Sequence, residues 1–315
     1  MSSTPALNRR SLAWAAILLA TLAVAPLWLP SYPLVTLTRI LVFALLAVSL
    51  DVLVGYTGLP SLGHGAYFGA GAYAAGWVAI HMTQSATLTL LVASASGAAA
   101  AAIAGSVAVR AQGVFFLMLT LALGEMAHQL AESWQEVTGG SNGLYGIPAV
   151  HLGTIVLLSA RAVYWWVLST FVSGVAVLGC VAASPFGETL RGIRDNEGRM
   201  RALGYRVYHY KLAAFILSGA FAGMAGGLLA THQRLVTPAD GGLGTSTLAL
   251  FAVIIGGEAS LSGACLGAAL VVLIRDSLGA SLGGRGPLVL GVVFVAVVYL
   301  LPSGLAGALR PAWRR

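Results

Sequence analysis

Long apolar blocks alternate with short polar connections along most of the 315 residues. Each block is close to the roughly 20 residues that an α-helix needs to cross a hydrocarbon layer about 30 Å thick. The blocks are continuously apolar, which predicts membrane helices and not the alternating strands of a barrel. The predicted spans are residues 11–29, 34–54, 58–80, 87–109, 114–131, 162–183 and 211–231, followed by a longer apolar region at 245–302.

The apolar region at 245–302 decides the predicted topology. One helix over 245–274 and another over 287–302 would give nine spans and leave the basic C-terminal residues outside, against the positive-inside tendency. A break at residues 256–260 (GGEAS) gives about ten spans and places both termini in the cytoplasm. The two halves of the broken region are short, so we expect short or broken helices that are buried in protein there.

Composition supports the membrane interpretation. Hydrophobic residues make up 58% of the chain, charged residues 9%, and the mean hydropathy is +0.88. These values predict an all-α, polytopic membrane helix bundle that forms one transmembrane domain over residues 1–315. The net charge of +7 suits contact with the anionic inner leaflet of a lipid bilayer, and so little soluble surface argues against nucleic acid as a partner.

One segment, residues 184–211 (SPFGETLRGIRDNEGRMRALGYRVYHYK), holds nine of the chain's 27 Lys, Arg, Asp and Glu residues. Ser184 and Pro185 are typical of a helix start, and Gly204 of a helix end. The pattern predicts one or two short amphipathic helices outside the membrane. A solvated cytoplasmic connector is one interpretation, but the interleaved acidic and basic residues favour a surface that docks on another protein.

Several stretches together resemble one family, and they occur in the same order as in that family. The stretch RGIRDNEGRMRALGY is followed by YKLAAFILSGAFAGMAGGLLA, and the others are GYTGLPSLGHGAYFGAGAYAA (55–75), GVFFLMLTLALGEMAHQL (113–130), TGGSNGLYGIP (138–148) and IIGGEASLSGACLGAAL (254–270). The chain resembles the LivM-type permeases of branched-chain amino acid ABC transporters (the LivH/LivM family). Ala259 and Ala264 differ from the Gly and Pro that the resemblance leads us to expect.

The resemblance implies a permease subunit of an ATP-driven importer, with branched-chain amino acids as cargo. It implies three kinds of protein partner: a homologous second permease, two cytoplasmic ATPase subunits and an external substrate-binding protein. It also implies a location in the bacterial inner membrane. The chain has one lysine, Lys211, and no G-x-x-x-x-G-K-[ST] motif, so it lacks the usual phosphate-binding loop. We therefore expect no enzyme activity and no cofactor in this chain, with ATP and Mg on the ATPase subunits.

By resemblance, the charged segment contains the coupling helix that sits on an ATPase subunit. The residues implied in coupling are Arg191, Arg194, Asp195, Asn196, Glu197, Ala202, Leu203 and Gly204. The loop at 132–161 is expected on the outer face, where a loaded binding protein would arrive.

Polar residues inside membrane spans are candidates for function, because their burial in lipid is costly. Ser61, His64 and Tyr67 are predicted one helical turn apart on one face of the third span, and with Glu125 they are our candidates for the translocation path. His64 as a core histidine and Glu125 as a hydrogen-bond partner across helices stay open as alternatives. Glu125 and His128 form an E-x-x-H pair, but no second pair accompanies it, so no metal site is predicted.

Small residues at helical spacing predict close helix contacts. They are Gly65 and Gly69 in the third span and Gly219, Gly223 and Gly227 in the span after the charged segment.

Other functions stay open at this point. The same machine could carry urea, short amides or other amino acids, because the binding protein sets much of the selectivity. A gradient-driven transporter is the weaker alternative, since Glu125 is the one good buried carboxylate and the charged segment would have no role. An intramembrane enzyme is disfavoured by the absence of H-E-x-x-H, of a nucleophile with its base, and of a cofactor motif.

Overall fold

The computed structural model describes residues 20–278, 286–301 and 304–309. Residues 20–29 are the described part of the first predicted span, 11–29, and residues 20–28 form helix α1. The remainder of that span and the basic residues near both termini, on which the predicted cytoplasmic termini depend, lie outside the described residues.

The described chain is almost entirely helical. The helices after α1 are α2 (Ser31–Asp51), α3 (His64–His81), α4 (Ala86–Ala108), α5 (Gly113–Ser133), α6 (Gln135–Thr138), α7 (Ala160–Ala183), α8 (Pro185–Asp195), α9 (Glu197–Ala202), α10 (Val207–Gln233), α11 (Leu243–Gly256), α12 (Leu261–Leu273), α13 (Gly286–Leu300) and α14 (Gly304–Leu309). π-Helical turns at Val52–Thr57 and Ile274–Leu278 extend α2 and α12, and 3₁₀ turns lie at Gly140–Asn142 and Pro238–Gly241.

Four two-residue strands mark one end of the bundle, which we call the hairpin end. Strands β1 (Leu144–Tyr145) and β4 (Leu235–Val236) pair antiparallel and join the predicted outer loop to the end of α10. Strands β2 (His151–Leu152) and β3 (Ile155–Val156) form a separate antiparallel hairpin. The opposite end of the bundle carries α8 and α9, and we call it the α8–α9 end.

Six helices among the described residues are long and apolar enough to cross a membrane. They are Ser31–Thr57, Ala86–Ala108, Gly113–Ser133, Ala160–Ala183, Val207–Gln233 and the apolar stretch Leu288–Gly307, whose described part is most of α13 and the start of α14. Helix α3, with 18 residues, and the short helices α11 and α12, with 14 and 13, pack among them. The predicted all-α polytopic bundle is therefore confirmed, while the count of ten spans is approximate.

Helix α2 lies at the centre of the bundle, and nearly all of its second half is buried. Helices α7, α10, α11 and α12 pack around it. On one side, α3, α4 and α10 come so close that their backbones touch. A Cβ atom added to Gly223 would overlap the carbonyl of Ala93 and lie 2.8 Å from the Cα of Gly97. Gly219 and Gly227 lie in the same contact with α4.

The region that was predicted to break is indeed broken. Helix α11 ends at Gly256 and α12 begins at Leu261. Between them, Gly257 has φ +102° and Ala259 has φ +57°. A left-handed backbone costs a non-glycine residue roughly 1–2 kcal/mol, which explains why glycine would suit position 259. The carboxylate of Asp51 compensates, because its Oδ1 accepts the Ala259 N–H at 2.9 Å.

The third span begins later than predicted. Gly58 has φ +69° and ends the π-helical turn, and α3 starts only at His64. The predicted helix over 58–80 is therefore wrong for its first six residues. Ser61 lies in this non-helical stretch, so it does not share a helical face with His64 and Tyr67. Gly65 and Gly69 of α3 lie against the backbone of Gly241 and Gly242.

Candidate functional site

Two short helices, α8 and α9, form the surface at the α8–α9 end. Ser184 occupies the N-cap position of α8, but its hydroxyl donates to the Val181 carbonyl at 2.7 Å and does not cap the helix. Asn196 separates the helices and caps α9, since its Oδ1 accepts the Arg199 N–H at 2.8 Å. Helix α9 ends at Ala202, and Gly204 then adopts φ +87°. The charged segment thus forms two helices that are interrupted at Asn196, whose backbone is extended.

Helix α8 is anchored to the membrane spans along its inner face. Leu190 and Ile193 are buried there. The Arg191 guanidinium lies 4.9 Å from the centre of the Tyr56 ring, and its Nη2 donates to the Ala182 carbonyl at 3.0 Å. Cation–π contact and a charged hydrogen bond together fix α8 to the end of α7 and to the π-helical turn after α2.

Arg194 lies one helical turn after Leu190 and forms hydrogen bonds with two separate elements. Its Nη1 donates to the Gly55 carbonyl in the π-helical turn. Its Nη2 donates to the Glu258 carboxylate at 3.0 Å, in the break between α11 and α12. The planar guanidinium suits this use, because its donors point in fixed directions toward two acceptors.

Glu197 faces its own chain. Its Oε2 lies 2.5 Å from the Lys211 Nζ, and its Oε1 accepts from Arg201. The Lys211 side chain is 4% exposed and that of Glu197 is 19% exposed. Lys211 lies in the second turn of α10, which begins at Val207 and not at 211 as predicted. The pair therefore fastens α9 to α10.

The structure divides the predicted coupling residues into two groups. Arg191, Arg194 and Glu197 bond to the protein's own spans, as described above. The outward-facing group is exposed and consists of Asp195, Asn196, Ala202, Leu203 and Gly204. Leu203 is 67% exposed, which leaves an apolar side chain among polar ones on this outer surface. A partner chain can contact this second group directly.

A cavity of about 530 Å³ lies between α3, α4 and α5. Its walls are almost entirely apolar, with Tyr67, Tyr73, Ala104 and His128 among the lining residues. The Tyr73 hydroxyl is buried and has no hydrogen-bond partner among the described residues. The cavity is thus suited to a small ligand with an aliphatic portion and at least one polar group.

The predicted path residues do not come together at this cavity. Tyr67 lines it. His64 is fully buried in the core, where its Nε2 lies 3.0 Å from the Ser49 Oγ and 3.4 Å from the Ser218 Oγ. Ser61 is also buried, and its Oγ accepts the Gly63 N–H at 3.3 Å. In this conformation His64 and Ser61 are therefore buried polar residues that are hydrogen-bonded within the core.

Glu125 lies on the exposed face of α5. Its carboxylate accepts from Gln129 of the same helix at 3.4 Å, and the described residues offer it no partner across helices. His128 donates from Nδ1 to the Pro238 carbonyl at 3.0 Å and approaches Glu132 at 3.6 Å. Within the part of the chain that the structure describes, no group of three His, Cys, Asp or Glu residues comes together.

Sequence reasoning missed two residues that matter at the α8–α9 end, Tyr56 and Glu258, which lie close to a third residue, Asp51. Asp51 is fully buried and holds the break through Ala259, as described above, while its Oδ2 has no partner among the described residues. The Tyr56 ring is in cation–π contact with Arg191, and the Glu258 carboxylate forms an ion pair with Arg194. A carboxylate within the apolar sequence IIGGEASL was a visible signal for Glu258, whereas nothing local distinguished Tyr56.

A helical multi-pass bundle that holds an apolar cavity between spans, and fastens two surface helices to a broken span, has the parts of a membrane transport protein. The family model described as "branched-chain amino acid transport system / permease component" matches residues 32–301. The chain belongs to this family and is a permease component of a transport system.

Individual relatives agree with the family. The chain is 29% identical to the high-affinity branched-chain amino acid transport system permease protein LivM of Salmonella typhimurium (strain LT2), with 98% of this chain and 78% of that protein aligned. It is 29% identical to LivM of Escherichia coli (strain K12), over 87% of this chain and 70% of the relative. The autoinducer 2 import system permease protein LsrC of Yersinia enterocolitica is 31% identical over 45% of this chain and 40% of LsrC. No solved structure matches the chain significantly.

Proposed function

We propose that this chain is the membrane-spanning permease subunit of an ATP-driven ABC importer for branched-chain amino acids in a bacterial inner membrane. The observation that carries the proposal is the family match over residues 32–301, with both LivM relatives aligned over most of this chain. Separate ATPase subunits bind ATP and Mg, and they drive alternating access through α8 and α9. Both termini lie in the cytoplasm with these helices.

The exposed face of α5 supports a second, homologous permease as partner. Phe115, Met118 and Met126 are 79%, 59% and 68% exposed, and Glu125 lies on the same helix. Glu125 is eight residues before the end of α5 at Ser133, which is about 12 Å along the helix. A carboxylate at that depth is costly in lipid, so burial against a second permease is the more favourable state.

The cavity between α3, α4 and α5 is the part of the path that this chain supplies. Its volume falls within the range of about 300–1,000 Å³ that small-molecule sites occupy. The apolar walls accept an aliphatic side chain, and the unpaired Tyr73 hydroxyl is available to a polar group of the cargo. The face of α5 that a second permease would cover borders this cavity, so the path would close between the two subunits.

Uptake by the reconstituted complex tests the proposed function. The complex of both permeases and the ATPases, in liposomes with external binding protein, should accumulate leucine only when ATP and Mg are inside with the ATPases. Isoleucine and valine should compete, while urea and acetamide should not. Accumulation that needs no ATP and collapses with an ionophore would instead identify a gradient-driven transporter.

Filling the cavity tests the path. Ala104→Leu adds three carbons to the cavity wall, and it should lower the maximal rate of leucine uptake several-fold without changing the affinity of the binding protein for leucine. Leu91→Phe is the matched control, because Leu91 lies on the same helix at a position that is 61% exposed. Equal uptake by the Ala104→Leu variant and the control would place the path elsewhere.

A further inference from the structure

Three elements that are far apart in the sequence meet at Arg194. The residue belongs to α8, its first acceptor is Gly55 in the π-helical turn after α2, and its second acceptor is Glu258 in the break between α11 and α12. The sequence separations are 139 and 64 residues. One side chain therefore connects the proposed docking surface with the interrupted part of the bundle.

We propose that Arg194 is a positioning residue that transmits the movement of α8 to the break at residues 257–260, so that the state of the ATPase subunits sets the conformation of α11 and α12. The inference rests on the proposed function as an ATP-driven importer. It assigns Arg194 an inward role, in contrast to a contact with the ATPase itself.

Direct contacts connect the break to the acceptor of Arg194, so a movement of Arg194 would be passed on to the break. Asp51 Oδ1 accepts the Ala259 N–H at 2.9 Å, and Asp51 is fully buried. Gly55 packs directly on this arrangement, because a Cβ atom added there would overlap the Ala259 backbone and the Asp51 carboxylate. The Gly55 carbonyl that accepts from Arg194 thus belongs to the same contact as the break.

The break is also the part of the bundle that is able to change shape. Helices α11 and α12 are separated by four residues, 257–260, that continue neither helix. Such residues absorb the φ and ψ changes of a hinge while the helices on either side move as rigid bodies. The left-handed Ala259 adds to this, because a strained residue favours a change of backbone conformation.

The ion pair between Arg194 and Glu258 is partly exposed to solvent, so its loss should affect coupling much more than stability. The side chains of Arg194 and Glu258 are 36% and 45% exposed. Exposed ion pairs contribute little to folding, and Leu190, Ile193 and Arg191 anchor α8 independently. Removal of the Arg194 side chain also leaves the buried Gly55 carbonyl without this donor, which should lower stability modestly. The complex should nevertheless stay folded, while α8 is disconnected from the break.

The experiment uses the whole complex in liposomes and measures leucine imported per ATP hydrolysed. Arg194→Ala should lower this ratio about five-fold or more, the lower end of usual coupling between sites, while the complex stays folded and its ATPase association is unchanged. Arg194→Lys should recover part of the ratio, since it keeps the charge but loses the two-directional geometry. Arg206→Ala removes an exposed arginine at the same end of the molecule and should keep the wild-type ratio.

Distances between spin labels give a second readout. In a chain without its native cysteines, one labelled pair at Thr189 and Tyr145 reports α8, and a second pair at Ser262 and Tyr145 reports the break. Addition of ATP should change both distances in the wild type and only the first in Arg194→Ala. If ATP changes the second distance in Arg194→Ala as it does in the wild type, or if that variant keeps the wild-type coupling ratio, the inference is overturned.

The two proposals fail in different ways. If wild-type transport proves independent of ATP, the proposed function is wrong. If the wild type couples ATP to leucine uptake and Arg194→Ala couples equally well, the proposed function stands and the role of Arg194 is wrong.

Discussion

At the scale of single residues, the direction in which a charged side chain points decides its role. Glu197 lies in the most polar part of the sequence, where contact with a partner is the natural expectation. In the folded chain its carboxylate is bonded to Lys211 and Arg201. Substitutions at Glu197 therefore act first on the chain's own structure, and only through it on any ATPase subunit.

The Glu197–Lys211 pair gives a stability prediction. Glu197→Gln should destabilise the purified permease by about 3 kcal/mol, because it leaves the buried Lys211 ammonium without a charged partner. Glu188→Gln, at an exposed acid on α8, is the control and should change little. Thermal unfolding in detergent measures both variants.

A double variant makes that prediction sharper. Adding Lys211→Met to Glu197→Gln removes the stranded charge and should restore most of the lost stability. If Glu197→Gln alone is as mild as Glu188→Gln, the pair does not hold α9 on α10.

At the scale of helices, one side of the bundle is held together mainly by direct backbone contacts at glycines. Gly71, Gly97 and Gly223 bring α3, α4 and α10 together at the level of the backbone. Van der Waals contact and not the hydrophobic effect holds helices together in a bilayer, so small residues at the interface are what permit such proximity. This layer forms the rigid wall against which the cavity and the break are placed.

The glycine contact predicts a strong effect from the smallest possible change. Gly223→Ala places a methyl group on the backbone of α4 and should cost about 1–3 kcal/mol, as overpacking of a tight interior does. Gly291→Ala, in α13, meets nothing within 4 Å and should be tolerated. The yield of monodisperse protein and its unfolding temperature distinguish the two variants, and equal behaviour would contradict the close contact.

The helices could be predicted well from the sequence because each depends on local composition. The break at 256–260 was predictable too, from its glycines and one acid in an apolar stretch. The late start of α3 was not, because the apolar run continues through Ser61 and only the left-handed Gly58 ends the helix. The directions of the Arg194 and Glu197 side chains could not be predicted either. Their partners, Gly55, Glu258 and Lys211, lie in other helices or loops.

At the scale of the whole molecule, the two ends of the bundle have different constructions. The hairpin end carries paired strands and exposed apolar residues such as Tyr145, which is 74% exposed. The α8–α9 end carries charged helices that are bonded to the spans beneath them. This asymmetry matches the proposed arrangement, with a binding protein at one end and ATPase subunits at the other.

The asymmetry predicts the labelling pattern in cells. In a chain whose Cys180 and Cys265 are replaced by alanine, an impermeant maleimide should react from outside with Tyr145→Cys and not with Arg199→Cys. After permeabilisation, Arg199→Cys should react as well. Reaction of Arg199→Cys in intact cells would reverse the topology and with it the side on which ATP must be supplied.

The burial of Lys211 has a consequence for chemical proteomics. It is the only lysine in the 315 residues, and its amine is enclosed by Glu197 and by α10. An amine-directed cross-linker added to the assembled transporter will therefore leave the Lys211 side chain unmodified and mark lysines on the other subunits. When Lys211 does become acylated, α9 has come away from α10, so a single modified peptide in a mass spectrum reports detachment of the docking surface.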